Sequence, residues 1–219
     1  MSAPVVPPTV SINEERAKPQ FSVRELTYYL DGGKHITDLK ERISLDLERD
    51  PAFTTVDTSD LSLEETRERT MRKIRRLASF VRTESINDFK KRMELVSILD
   101  PASWTRLGVH YGLFFGALRS GCSPSQFSYW CDKGALTLDG LVGCFGMTEL
   151  GHGSNVAGLE TTATFDEKSD EFIINTPTLT ATKWWIGGAA HTASHCIVFA
   201  QLWVKGKCYG VKNFVVQLR

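Results

Sequence analysis

The chain has 219 residues, enough for one or two domains with a sizeable core. Hydrophobic residues make up 42% and charged residues 24%, an ordinary balance for a soluble globular protein. Cationic and anionic side chains are equal in number, 26 each, so no global field favours nucleic acid or an anionic membrane surface.

No apolar run has the length of a spanning helix, and the N-terminus lacks the charged-then-apolar order of a signal peptide. Membrane insertion is therefore not expected, and the setting reads as intracellular. The cysteines Cys122, Cys131, Cys144, Cys196 and Cys208 are odd in number, with no Cys-x-x-Cys pair. That argues for free thiols rather than structural zinc or a disulfide framework.

Residues 1–20 hold Pro4, Pro7, Pro8 and Pro19 with little apolar periodicity, which predicts a flexible lead-in. Phe21 to Leu30 reads as a short helix broken by Asp31-Gly32-Gly33. Ile36, Leu39, Ile43 and Leu47 recur at helical spacing up to Asp50-Pro51. Ser62-Leu63-Glu64-Glu65 reads as a capping box opening a helix with the stripe Met71, Ile74, Leu77, Ala78 and Val81. A further stripe, Ile86, Phe89, Met93, Val96 and Leu99, ends at Asp100-Pro101. The basic run from Arg67 to Arg92 is interleaved with Glu68, Glu84 and Asp88, as on a solvated helix face, with contact to phosphates or a partner subunit as the sharper alternative. Gly108 to Leu118 is aromatic and small, suited to a tightly packed helix, and Ser123-Pro124 caps another.

From Cys144 to Ala163 the pattern changes. Gly146, Gly151, Gly153 and Gly158 stand among Thr148, Glu149, His152, Ser154 and Asn155. Glycines let backbone approach a ligand, and short polar groups with free N–H donors can hold a planar, anionic or carbonyl-bearing one. The run is neither a Walker A loop nor a Gly-x-Gly-x-x-Gly fingerprint. Thr161–Phe165 and Phe172–Ile174 flank the polar turn Asp166–Asp170, a hairpin signal. Cys196–Trp203 and Tyr209–Leu218 read as two more strands around Lys205-Gly206-Lys207. The fold class is α+β, an all-α region and then an antiparallel β region.

The run Met147-Thr148-Glu149-Leu150-Gly151-His152-Gly153-Ser154-Asn155, followed by Gly158-Leu159-Glu160-Thr161-Thr162-Ala163-Thr164, resembles the signature of the acyl-CoA oxidases. A second block, Lys183-Trp184-Trp185-Ile186-Gly187-Gly188 with His191-Thr192, agrees in order and separation. The similarity is to the fungal, peroxisomal type and runs from about Phe21 to Arg219. It implies the acyl-CoA dehydrogenase/oxidase fold: a lead-in over residues 1–20, an N-terminal helical domain over 21–143, and a middle β domain with its flavin loop over 144–219. The family continues beyond this point, so the β domain is expected to be incomplete.

The resemblance implies FAD-dependent oxidation of a fatty acyl-CoA to the trans-2-enoyl-CoA, with O2 reduced to hydrogen peroxide, in a peroxisomal homodimer. The C-terminal Gln-Leu-Arg is not a Ser-Lys-Leu-type address. On this resemblance Thr148, Trp185, Gly187 and Gly188 hold the cofactor, and Gly153 and Ser154 meet the substrate. No residue here is expected to be the catalytic base, which the family places in its C-terminal half. Glu149 and His152 are expected to orient the loop. His191 and His195 are four apart but lack a third ligand at useful spacing, so no metal is expected. Two alternatives stand beside this reading: an acyl-CoA dehydrogenase passing electrons to a carrier, and a truncated, non-catalytic remnant.

Overall fold

The computed structural model describes residues 6–54 and 59–219, and the chain divides into two compact units, Met1–Thr55 and Val56–Arg219. In the first, helix α1 (Pro8–Arg16) buries no residue. Helix α2 (Val23–Asp31) starts at Ser22, whose hydroxyl accepts the Glu25 N–H, and stops at Gly32, at φ 91°. That left-handed turn suits glycine, which has no Cβ to clash. Helix α3 (Lys34–Arg49) follows, with Ile43 and Leu47 buried. The Asp31 carboxylate ties the two together, accepting Thr37 Oγ1 at 2.8 Å and Lys40 Nζ at 2.7 Å.

In the second unit, α4 (Leu63–Phe80) opens with the expected capping box between Ser62 and Glu65. Helix α5 (Ile86–Leu99) runs up to Asp100-Pro101, and α6 (Pro101–Gly108) begins there. The Asp100 carboxylate caps α6 through Ser103 N at 3.0 Å and meets Lys73 of α4 at 2.5 Å. The predicted α5 stripe is buried at Val96, but Ile86 and Leu99 are exposed because they are the helix's first and last residues, beyond its packed middle. Arg92 lies buried on α5, paired with Glu84 and stacked 3.9 Å from the Phe80 ring.

From α6 the helical path continues through one wider π turn, Val109–Phe114, into α7 (Phe115–Gly121), and Ser123-Pro124 then opens α8 (Pro124–Asp132) with a second capping box. A π turn admits an extra residue per turn and redirects the side chains it carries. Here it turns His110 and Phe114 into the core.

The five strands are β1 (Gly143–Gly146), β2 (Thr162–Asp166), β3 (Glu171–Asn175), β4 (His195–Val204) and β5 (Lys207–Gln217). The expected hairpins are present and antiparallel, β2 with β3 and β4 with β5. The sheet as a whole is mixed, because β4 also pairs in parallel with β1 (Cys144 opposite Cys196) and with β2 (Ala163 opposite Leu202). Hairpins come from short turns, whereas parallel partners need long connections that local alternation does not encode. β5 takes one edge of β4 along its length, which leaves the other edge to β1 and then β2.

The helices meet this sheet at Phe114. Its ring is fully buried with Leu118, Ala135, Leu141 and Ile197, and a Cβ on Gly143 would come within 2.0 Å of it. His110 clasps the same junction. Its Nδ1 accepts the Gly143 N–H at 2.8 Å, which leaves Nε2–H to donate to the Ala135 carbonyl at 2.7 Å. Only the neutral ring can do both. Burial pushes its pKa down to about 4.

The unfolded chain therefore binds more protons between about pH 6.5 and about pH 4, and stability should fall by about 3 kcal/mol as pH drops through that window. In His110→Gln the amide can replace both hydrogen bonds without titrating. Chemical denaturation at pH 7, 5.5 and 4.5 should show that variant losing less stability than the parent on acidification. Equal losses would mean that His110 does not govern the acid response.

Candidate functional site

The two motif blocks meet edge to edge. Leu150 N–H donates to Thr182 O at 2.8 Å, Gly151 N–H to Thr180 O at 2.9 Å, and Trp184 N–H to Thr148 O at 3.0 Å. Residues 148–151 thus run antiparallel to residues 180–184, with Glu149 opposite Lys183. A Cβ on Gly151 would come within 2.9 Å of Thr180, so the close approach depends on glycine there.

An ion pair holds this crossing from beneath. The Glu149 side chain is fully buried, and its carboxylate accepts Glu160 N–H at 2.8 Å, Thr161 N–H at 2.9 Å and Lys183 Nζ at 3.2 Å. Lys183 Nζ also donates to Met147 O at 3.0 Å and to Phe199 O at 2.8 Å on β4. Burial raises the Glu149 pKa, but the amides of Glu160 and Thr161 and the Lys183 ammonium outweigh it and leave the carboxyl below its ordinary range. Desolvation pulls the Lys183 pKa down, opposed by Glu149.

On the surface side, His152 Nε2 lies 2.8 Å from Glu160 Oε1. Thr178 and Thr180 hydroxyls donate to the same carboxylate, Thr180 at 2.9 Å. These bonds draw the Glu160 pKa down to about 2, with Thr178 the largest influence. Glu149 and His152 therefore do orient the loop, and Glu149 has no free lone pair directed at solvent.

Of the residues singled out for cofactor, Thr148 lies at the crossing through its carbonyl bond to Trp184; Trp185 is next in the chain, and Gly187 and Gly188 follow it in the second block. Thr148 is half-buried and, among the described residues, its hydroxyl has no partner. The Gly187 and Gly188 amides likewise donate to no group among the described residues. Gly188 needs its glycine, at φ 85°. Gly187 does not: a Cβ there would meet only Val109 Cγ2, at an ordinary 3.6 Å. Trp185 sits at φ 64° and is 86% exposed, a large flat surface turned outward. Gly153 and Ser154, singled out for substrate, lie apart at the exposed tip of the loop, with open space around Gly153.

Gly187 and Gly188 also edge a cavity of about 700 Å³, bounded by α4, the junction of α6 with the π turn, residues 137–143 and residues 187–193. His110 and Arg106 line it too, and Arg106 donates to Thr192 Oγ1 at 2.8 Å. Neither residue belongs to a recognisable motif, so sequence reading passes over both. Among the described residues, no group of three or more His, Cys, Asp or Glu could hold a metal ion, and no helix is long and apolar enough to cross a membrane.

Comparison with known proteins decides the kinship. The family described as acyl-coenzyme A oxidase N-terminal matches residues 22–135, and that described as acyl-CoA dehydrogenase, middle domain, matches residues 144–219. The chain belongs to the acyl-CoA oxidase family. It is 58% identical over 212 residues to acyl-coenzyme A oxidase 2 of Yarrowia lipolytica, covering 97% of this chain and 30% of that protein. Over 214 residues it is 50% identical to the acyl-coenzyme A oxidase of Debaryomyces hansenii, with the same coverage of each. The crystal structure of acyl-CoA oxidase 1 from Yarrowia lipolytica superposes with a TM-score of 0.90 at 48% identity, covering 97% of this chain and 31% of that one. That of acyl-CoA oxidase 2 from Caenorhabditis elegans, bound with FAD, ascaroside-CoA and ATP, gives 0.83 at 30% identity, covering 95% and 31%. The chain spans about 30% of the length of the relatives it matches.

Removing Lys183 leaves the Glu149 carboxylate buried without its cation. Lys183→Met should cost about 3–5 kcal/mol in chemical denaturation, and the double variant Glu149→Leu/Lys183→Met should recover part of it. A single variant within 1 kcal/mol of the parent would show that the pair does not hold the crossing. Because the folded Glu149 pKa is lowered, its contribution is complete above the unfolded carboxylate value, about 4.3, and fades as pH falls through the folded one.

Proposed function

We propose that this chain forms the flavin-facing part of an FAD-dependent oxidase acting on fatty acyl-CoA thioesters. The product is the trans-2-enoyl-CoA, and O2 becomes hydrogen peroxide. The observation that carries the reading is the set of unengaged donors that the two blocks supply: the Thr148 hydroxyl and the Gly187 and Gly188 amides. Such donors suit the carbonyl and nitrogen edge of an isoalloxazine, and exposed Trp185 offers area for a flat ring. When bound, FAD supplies the two-electron acceptor for the Cα–Cβ bond.

The chain's own residues bind and orient. Thr148, Gly187 and Gly188 hold the ring edge, Trp185 packs near its face, and Gly153 and Ser154 meet the CoA end of the substrate. Glu149 is not the base that removes the α-proton, because its carboxylate is buried and already holds Glu160, Thr161 and Lys183. The family resemblance also supports a homodimer and a peroxisomal setting. The relatives' shared description as oxidases favours O2 over an electron carrier as acceptor.

Gly187 is bare where packing would accept a side chain, which leaves room above the donors for ring and dioxygen. Titration of the chain with FAD, followed by quenching of flavin fluorescence, should give saturable binding that Thr148→Val weakens by about five- to tenfold. Gly187→Thr should bind FAD with unchanged fold and slow its reoxidation by O2. Absence of FAD binding by the folded chain would remove the assignment of these donors. An unchanged oxidation rate in the threonine variant would remove the role given to Gly187.

A further inference from the structure

Two thiols lie side by side beneath the second block. β1 and β4 pair in parallel with Cys144 directly opposite Cys196. Side chains alternate between faces along a strand, so opposite residues of a parallel pair share one face. Here both enter one buried cluster with Ala193 and Val198, whereas their neighbours Phe145 and Ile197 pack on the other face. Paired strands stand about 4.8 Å apart, inside the span of about 4.4–6.8 Å between Cα atoms that a disulfide bridges. The Cys196 sulfur also leans over β1, since a Cβ on Gly146 would come within 2.9 Å of it. All the cysteines are free thiols, and of these Cys144 and Cys196 are the buried ones.

The pair is asymmetric. The Cys196 thiol beside it holds the Cys144 thiol below its ordinary range, burial opposing this and Arg219 assisting. Cys196 is pushed up, by Cys144 first and by burial second. Cys144 is therefore the attacking sulfur and Cys196 the resolving one. The cluster is closed to bulk solvent, but Val109 and Ala193, which pack in it, also line the cavity edged by Gly187 and Gly188. A small neutral oxidant in that cavity has only these two short side chains to pass.

We propose that Cys144 and Cys196 form an oxidation site that hydrogen peroxide closes to a disulfide between β1 and β4. The Cys144 thiolate attacks a peroxide oxygen and the O–O bond breaks, leaving Cys144 sulfenic acid and a hydroxide that takes up a proton to become water. The Cys196 thiol then attacks the Cys144 sulfur. The S–S bond forms, the S–O bond breaks, and the sulfenic hydroxyl leaves with the Cys196 proton as a second water. The two sulfurs lose two electrons and peroxide gains them. The source of the peroxide rests on the oxidase reading above, whose reaction releases it near Gly187; the site itself does not. The bond ties β1 to β4 beneath Ile186 and Ala189, on either side of the glycine donors.

The test adds a slight molar excess of hydrogen peroxide to the 219-residue chain, alkylates the remaining thiols in denaturant and maps the tryptic fragments by mass. Fragment 134–168, which holds Cys144, should be joined to fragment 184–205, which holds Cys196, and dithiothreitol should part them. The join should form about ten-fold faster in the folded chain than in the urea-unfolded one, where the cysteines must first meet by loop closure. Cys196→Ala should instead leave Cys144 as a sulfenic acid, trapped as its dimedone adduct on unfolding. Both thiols still free after exposed Cys208 has been oxidised, either one joined to a different cysteine, or equal rates folded and unfolded would overturn the proposal. A Cys196→Ala chain without the adduct would overturn it too, by taking the attacking role from Cys144. Because the peroxide is added, a join without FAD binding would sink the flavin assignment and leave the thiol site standing. FAD binding without a join would do the reverse.

Discussion

Everything at the candidate site depends on one buried ion pair, Glu149 with Lys183. An isolated charge in a protein interior is very unfavourable, and a pair recovers that cost only when each partner's remaining hydrogen-bonding capacity is also met. Here it is. The carboxylate gathers the amides at the start of β2, and the ammonium gathers a carbonyl from the end of β1 and another from β4. Three strands and two sequence blocks converge on three charged atoms, the two Glu149 oxygens and Lys183 Nζ, so no segment can shift without stranding a charge. That rigidity lets a surface crossing made of glycines and short polar residues hold a definite shape.

His110 does the corresponding work where the helices meet the sheet, by a different electrostatic route. Glu149 must stay ionised to keep its partners, whereas His110 must stay neutral, because it accepts from one backbone group while donating to another. One clasp uses charge balanced by charge, and the other uses an uncharged ring that burial prevents from protonating. Between them, the donors around Gly187 are left unengaged. The backbone that carries them is fixed by bonds on its neighbours: Trp184 to Thr148 before, and Thr192 and Ala193 to Gly188 after. Fixed but unspent donors are the form that preorganised recognition takes.

Much of the architecture can be read from the residues. Ser62 with Glu65 and Ser123 with Pro124 announce their helices, because capping is local chemistry. The hairpin of β2 and β3 is visible because alternation and a polar turn are also local. The parallel pairing of β4 with β1 and β2 is not visible, since it joins segments dozens of residues apart. The π turn is equally hidden: its widened path depends on Phe114 seating against Gly143, a contact between distant parts of the chain. At the site, the glycines and Thr148 stand out in the motif. Glu160 with Thr178 and Thr180, and Arg106 with Thr192, acquire meaning only once the fold has brought them together.

The sheet's outer rim bears on how this polypeptide behaves in solution. Among the described residues β5 pairs with β4 alone, so its far side presents a row of unshared amides and carbonyls. Its first half is protected: Lys207 and Lys212 repel a second copy, and Gly210 at φ 78° bends the backbone out of a flat template. Its second half, Asn213-Phe214-Val215-Val216, is β-prone and uncharged, the composition that favours strand-to-strand association between chains. Strand-to-strand association through this rim therefore centres on these four residues, the last of which, Val216, packs in the same cluster as Ile186 and Ala189 on either side of the glycine donors.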